Sequence, residues 1–188
     1  MFDRLHTSLS SLARGAATVG GLAMCGAAFM VTLDVLSRKL FGVTLRGADE
    51  ITGYVFACTT TWAFAHALMT RSHIRIDAAY TVLGTPMRAL LDVLGLGLLT
   101  LYIGLLTRSA WSVVTESVRY DYTAQTPLAT PLWLPQSVWF AGLAFMSVCL
   151  AFLMVRALWL VARRDWQAIN AFAGVRSLDQ DIAEETHA

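Results

Sequence analysis

Charged residues are scarce in this chain of 188 residues: only 14% are Asp, Glu, Lys or Arg, whereas 56% belong to the hydrophobic set. A soluble domain usually has about 25% charged and roughly 45–50% apolar residues. The chain departs from both averages in the direction of a membrane protein. A basic excess is also lacking, because fourteen Lys and Arg face thirteen Asp and Glu. The charge therefore gives no indication of a nucleic-acid partner.

The residues that catalysis or metal binding would need are lacking as well. The three cysteines, Cys25, Cys58 and Cys149, lie far apart inside apolar runs, so neither a CxxC metal site nor a disulfide framework is indicated. No pair of carboxylates lies inside an apolar run, and the sequence shows no nucleophile with its base and no glycine-rich phosphate loop. A haem between helices needs two axial ligands, and His66 is the single histidine in an apolar run. We predict no enzyme activity, no metal and no cofactor, and expect His66 to form a hydrogen bond with a neighbouring helix.

Four long stretches with few charges dominate what the sequence does contain. The hydrocarbon core of a bilayer is about 30 Å thick, so a helix needs about 20 mostly apolar residues to cross it. The four stretches approach or reach this length and do not alternate as the strands of a membrane barrel would. The sequence therefore predicts an all-α membrane protein with four transmembrane helices in one domain, residues 1–164, followed by a polar tail, residues 165–188. The predicted spans are about residues 15–36, 51–70, 88–107 and 135–161.

Two amphipathic segments accompany these spans. Four apolar residues near the amino terminus share one helical face, which predicts a short helix in the membrane interface before the first span. They are Phe2, Leu5, Leu9 and Leu12. Between Arg108 and Tyr122, apolar residues again recur at helical spacing, which predicts an amphipathic extension of the third helix. A loop with three prolines then leads into the fourth span.

The distribution of Lys and Arg predicts the orientation of the chain. Short cytoplasmic segments of membrane proteins carry more of these residues than segments on the other side. With both termini in the cytoplasm, the inside segments hold nine Lys and Arg and the outside segments hold five. We therefore predict that both termini are cytoplasmic.

Small residues recur along one side of the second helix. Gly53, Ala57, Thr61 and Ala65 are spaced every four residues. Small side chains at this spacing let another membrane helix approach closely. The pattern predicts a helix-packing face, and it leaves open whether the neighbour belongs to this chain or to a partner.

Charged residues cluster at the end of the first helix and at both ends of the second helix. Asp34 lies four residues before Arg38, the favourable order for an ion pair on a helix. Asp49 and Glu50 open the second helix, where negative charge is stabilised by a few tenths to about 1 kcal/mol. Capping explains the acidic pair as readily as a partner contact does. His73, Arg75 and Asp77 follow the same helix, either as a solvated turn or as a further contact; all lie outside the predicted spans.

The charged segments around the second helix, in their order along the chain, resemble those of the small membrane subunit of TRAP (tripartite ATP-independent periplasmic) transporters, the DctQ-like family. The pattern that this chain resembles has four spans. Helix one ends in an Arg-x-x-Phe-type motif, an acidic pair opens helix two, and a His–hydrophobic–basic–hydrophobic–Asp motif follows helix two. In this chain the three motifs fall on Arg38 to Phe41, Asp49-Glu50 and His73 to Asp77. The Leu-Trp-Leu-Pro entry to helix four is also similar, and the likeness covers roughly residues 15–160. Where the family often has an aromatic residue just before the acidic pair, this chain has Arg46-Gly47.

The resemblance implies a function that composition could not indicate. It implies a small, non-catalytic subunit in the bacterial inner membrane that scaffolds a large TRAP membrane subunit. A periplasmic substrate-binding protein would deliver a small organic acid, and uptake would be coupled to an ion. The candidate partner contacts are Arg38, Asp49, Glu50, His73, Arg75 and Asp77. Two other functions stay open: a membrane anchor of a redox complex, and a small homodimeric transporter that works without other subunits.

Overall fold

The computed structural model describes residues 2–70 and 84–163, with side chains from residue 4 onward. Within these ranges the fold is all-helical, with no strand beyond one isolated bridge between Thr123 and Pro131. The four helices are α1 (Phe2–Phe41), α2 (Ala48–Met69), α3 (Thr85–Arg119) and α4 (Trp133–Ala162). The predicted polar tail and the segment 71–83 lie outside the described residues.

Three of the helices are long and apolar enough to cross a membrane: Arg4–Phe41 within α1, and all of α3 and α4. The 22 residues of α2 give a length of about 33 Å, enough to cross the bilayer core, but α2 is not among the apolar candidates. Asp49, Glu50 and His66 lower its hydropathy, and its four threonines add to this. Their hydroxyls bond to carbonyls one turn back, as Thr59 does with Val55 (2.7 Å) and Thr60 with Phe56 (2.7 Å). The all-α prediction is confirmed, and apolarity identifies three spans rather than four.

The prediction of a separate interfacial helix at the amino terminus is wrong. The chain is one helix of 40 residues from Phe2 to Phe41. Ala13 is fully buried and Leu9 packs against the core. These tertiary contacts stabilise the amino-terminal segment as part of α1. The predicted extension of the third helix is confirmed, since α3 continues without a break to Arg119, well past the predicted span. The side that it buries there holds Ala110, Val114 and Ser117, whereas Trp111 and Val118 of the predicted apolar stripe are exposed.

The helices pack side by side in the order α1, α2, α4, α3. We call α2 and α4 the inner helices and α1 and α3 the outer helices. Each outer helix buries residues spaced seven apart, which is typical of a coiled-coil seam. These are Ala13, Gly20, Ala27 and Asp34 in α1, and Ala89, Leu96, Ile103, Ala110 and Ser117 in α3. The rest of each outer helix is largely exposed and rich in apolar side chains.

The core lies where the inner helices meet α3 and the first part of α1. Leu143, Cys149 and Leu150 of α4 are almost completely buried there. Thr107 makes the polar contacts between α3 and α4: its hydroxyl lies 2.9 Å from the Ser147 hydroxyl and 3.5 Å from the Leu143 carbonyl oxygen. Such a bond stabilises a membrane helix pair by about 0.6 kcal/mol on average, so apolar packing dominates this contact.

The inner helices are offset along their axes. The thiol of Cys58 lies 3.5 Å from the carbonyl oxygen of Pro135, and Trp62 donates from Nε1 to the carbonyl of Val138 at 3.1 Å. The start of α4 therefore lies beside the middle of α2. The first ten residues of α2 extend past it, and the loop 120–132 contacts them.

Candidate functional site

The connection between α1 and α2 is held by Asp34. Its carboxylate is buried, with 3% of the residue exposed. It accepts a hydrogen bond from the backbone N–H of Leu45 (2.6 Å) and pairs with Arg38, as the sequence predicted. Gly42, at φ +66°, reverses the chain after α1, so the connection folds back along the helix. Arg38 is therefore engaged within this chain, although 55% of its side chain stays exposed.

The first turn of α2 begins at a glycine that has no room for a side chain. Gly47 has φ +90°, a conformation that glycine adopts without steric cost. The side chain of Leu128 lies directly over it: a Cβ at Gly47 would collide with Cδ1 of Leu128 and lie 2.7 Å from Cγ. The space that an aromatic residue would need before the acidic pair is thus occupied by the loop 120–132.

Glu50 binds that loop to the helix. One carboxylate oxygen accepts a 2.8 Å hydrogen bond from the Tyr54 hydroxyl, and the other accepts one from the Thr126 hydroxyl. Glu50 immediately precedes the predicted span. The Thr126 hydroxyl holds the pKa of Glu50 below its ordinary value; partial burial opposes this shift, and Thr130 adds to it. Both oxygens are therefore used inside the chain.

Asp49, the other member of the acidic pair, is exposed. Gly47, the N-cap residue of α2, makes no side-chain cap bond. The two acids lie in the first turn of α2, where the helix dipole favours negative charge. The pair that the sequence treats as one unit is split: Glu50 contacts the loop, and Asp49 faces outward.

The loop 120–132 has regular structure of its own. Ala124 donates its N–H to Thr130 (2.9 Å), and Leu132 donates to Tyr122 (2.9 Å). Asp121 and Ala129 adopt positive φ at 49° and 46°, which allows the tight reversals at its ends. We call this loop, the connection 42–47 and the first turn of α2 the cap.

The small-residue side of α2 divides into two halves. Thr61 and Ala65 are buried, and Thr61 lies against Gly142 of α4, where an added Cβ would be 2.5 Å from the Thr61 hydroxyl oxygen. Gly53 and Ala57 are exposed, and a Cβ at Gly53 would meet nothing within 4 Å. The first half of this face is therefore open, and the second half is filled by α4.

The remaining predicted positions add less. His73, Arg75 and Asp77 lie outside the described residues. Nδ1 of His66 is buried and has no hydrogen-bond partner within the part of the chain that the structure describes, so the expected bond from this atom is not formed there. No group of three His, Cys, Asp or Glu side chains within the described ranges is placed to hold a metal ion.

Sequence reasoning missed the groups that complete the cap. Thr126 and Leu128 lie in a segment interpreted only as a proline-marked loop, some 76 residues from Glu50 along the chain. Its two threonines beside prolines, Thr126 and Thr130, were the available signal, because a hydroxyl is a natural donor to a carboxylate. No local pattern pointed to the contact with α2.

Helices of this length and composition, packed in a row with apolar outer surfaces, define an integral membrane protein. A family model described as the DctQ component of tripartite ATP-independent periplasmic transporters matches residues 27–164. The chain therefore belongs to the DctQ family of small TRAP transporter components, and the resemblance found in the sequence is confirmed. Searches of curated proteins and of solved structures give no match.

Proposed function

We propose that this chain is the small, non-catalytic subunit of a TRAP importer and holds the large transport subunit in the membrane. Family membership carries this proposal. The open half of the α2 face supports it, because Gly53 and Ala57 form a surface that a second helix could approach closely. The apolar outer sides of α1 and α3 offer further area to lipid or to a partner.

The proposed location is the bacterial inner membrane, with both termini in the cytoplasm. The nine-to-five distribution of Lys and Arg supports this orientation. It puts the cap on the periplasmic side, where a substrate-binding protein would arrive. Asp49, Arg46 and Lys39 are exposed on or next to the cap and are the charged groups through which the cap would contact the large subunit or the binding protein.

In this proposal the large subunit carries the substrate and coupling-ion sites. The expected cargo is a small organic acid, taken up with an ion. The described helices are unbroken from end to end, unlike the discontinuous helices that surround a midplane substrate site in many secondary transporters. This continuity fits a scaffold better than a transport pathway.

Reconstitution tests the proposal directly. Proteoliposomes would contain this chain alone, the large TRAP subunit alone, or both, each with the binding protein and its substrate. We expect uptake only with both membrane subunits. Uptake by this chain alone would show a self-sufficient transporter. A visible haem or flavin spectrum of the purified chain would indicate a redox anchor instead.

Single cysteines test the orientation. In a background without Cys25, Cys58 and Cys149, a cysteine at Thr44 or Gln125, both exposed in the cap, should react with an impermeant thiol reagent added outside the cells. A cysteine at Ser72 should react only after the membrane is opened. The reverse labelling pattern would show the opposite orientation, with both termini in the periplasm.

A further inference from the structure

A groove of about 450 Å³ runs along α1 where this helix contacts α2 and α4. Its walls are apolar or small, and they include Leu12, Ala16, Val19 and Trp62. The indole N–H of Trp62 already donates to the Val138 carbonyl at 3.1 Å. The ring therefore presents only its apolar surface to the groove.

The groove follows one half of the uncharged stretch of α1. Along this helix its lining extends from Ser11 to Ala23, a distance of about 18 Å at 1.5 Å per residue. The uncharged stretch is residues 15–33, so the groove covers its amino-terminal half and the turn before it. Half of a bilayer core is about 15 Å thick. The groove therefore matches one leaflet and opens at the headgroups.

The dimensions select a narrow occupant. Spread over about 18 Å, the volume of about 450 Å³ corresponds to a cross-section of roughly 25 Å², or 5–6 Å across. A helix with its side chains is about 10–12 Å wide, so it could lie across the mouth of the groove but could not fill it. A single hydrocarbon chain fits along its length.

The headgroup end of the groove is polar and basic. Ser11 lines the groove, and Ser8 and Arg4, spaced three and seven residues earlier, continue the same side of the helix. Arg4 and Ser8 are both exposed. A cation beside an apolar groove complements a phospholipid, whose phosphate is anionic and whose tail is a hydrocarbon chain.

We propose that this groove binds a phospholipid from the leaflet at the amino-terminal end of α1. One acyl chain lies along Gly15, Val19 and Trp62, and the phosphate lies beside Arg4 and the hydroxyls of Ser8 and Ser11. The bound lipid fills the crevice between α1 and the inner helices.

Two glycine variants on α1 make a matched test. A Cβ at Gly15 or at Gly26 would meet nothing within 4 Å. Of these two glycines, Gly15 lines the groove and Gly26 does not. Leucine favours helix over glycine at both sites, so Gly15→Leu and Gly26→Leu should both fold. The probe is a phospholipid with a diazirine in its acyl chain, incorporated in nanodiscs that hold the full chain, with the crosslinked peptides identified by mass spectrometry.

We expect crosslinks on α1 between Ser11 and Ala23 and on Trp62 in the natural protein. Gly15→Leu should lower this labelling about tenfold, because displacing two methylenes from an apolar site weakens binding by about that factor. Gly26→Leu should leave it unchanged. Arg4→Gln should lower the labelling by phosphatidylglycerol, with its net negative head, more than the labelling by phosphatidylcholine.

Three results would overturn the proposal. Labelling spread evenly over the exposed side of α1 would show ordinary boundary lipid. An equal effect of the two leucine variants would show that the groove is not the site. Loss of labelling when the large subunit is added to the nanodiscs would show that a protein segment, and not a lipid, occupies the groove.

Discussion

The two halves of the small-residue side of α2 have the same spacing and opposite surroundings. Thr61 and Ala65 are buried, and α4 fills the space beside Thr61. Ala57 and Gly53, one and two turns before Thr61, remain exposed. The reason is the offset between the inner helices, since α4 begins beside Cys58 and does not reach the first half of α2.

This difference separates two functions that a small-residue pattern can have. The second half of the face builds the subunit itself, because Gly142 and Thr61 bring two helices of the same chain together. The first half is available to a second chain. The following variants test that division, beginning with the largest expected effect.

Gly142→Leu should destabilise the isolated subunit most. Even a Cβ at this position would lie 2.9 Å from both Thr61 Cβ and Trp62 Cδ1, so a leucine must separate α2 from α4. Overpacking of this kind usually costs about 1–3 kcal/mol. Thermal unfolding of the detergent-purified subunit should show a lower midpoint. Gly104→Leu is the control, because a Cβ there has nothing within 4 Å; equal midpoints for the two variants would contradict the close contact.

Ala57→Leu should leave the isolated subunit intact and weaken its complex with the large subunit. The residue is exposed in the first half of the face, so we expect the larger side chain to leave the packing within the subunit intact. We expect recovery of the complex in a pull-down to fall about tenfold, the effect of about 1.4 kcal/mol. Ala63→Leu, exposed on another side of α2, is the control. If Ala63→Leu alone reduces recovery, the partner contacts that other side.

Glu50→Gln should loosen the cap while the helices stay packed. An amide is a weaker acceptor than a carboxylate, so the bond from the Thr126 hydroxyl is weakened and the loop 120–132 opens more often. Hydrogen exchange of Ala124 and Leu132, whose N–H groups donate within the loop, should accelerate, whereas exchange in α4 should not. Asp49→Asn should leave both rates unchanged. Equal exchange in the two variants would mean that Glu50 does not hold the loop.

Acid should have the same effect as that substitution. The hydrogen bond from Thr126 lowers the pKa of Glu50 from its ordinary value of 4.5, so its contribution to stability is present above the ordinary value. It is lost as the pH falls through the lowered folded-state pKa. Exchange within the loop, corrected for the intrinsic pH dependence of exchange, should therefore increase only below about pH 4.5 and lose this dependence in Glu50→Gln. A change near neutral pH would point to another group.

Thr61→Val should have the smallest effect. The Thr61 hydroxyl bonds within its own helix, to the carbonyl of Cys58 at 2.9 Å, and valine keeps nearly the same shape. Membrane hydrogen bonds average about 0.6 kcal/mol, so the unfolding midpoint should barely move. Thr61→Leu, in contrast, should behave like Gly142→Leu. If the valine and leucine variants were equally destabilised, the hydroxyl and not the close approach would hold the two helices together.

The sequence by itself determined the fold class, the family and the approximate limits of α2, α3 and α4. Long apolar runs require helices because lipid offers no partners to backbone groups, and this requirement is local. The pairing of Asp34 with Arg38 was likewise readable from a spacing of four residues. The order of the charged segments around the second helix was sufficient to indicate the family.

The tertiary structure alone decided how those helices use their surfaces. The offset of α4 against α2 decided which small residues are buried, and the loop 120–132 decided that Glu50 is engaged while Asp49 is exposed. Packing of Ala13 and Leu9 on the core decided that α1 is one long helix without a separate interfacial segment. Each outcome depends on groups far apart in the chain, such as Glu50 and Thr126. Local spacing carries no information about such contacts, because they form only when the helices take their positions beside one another.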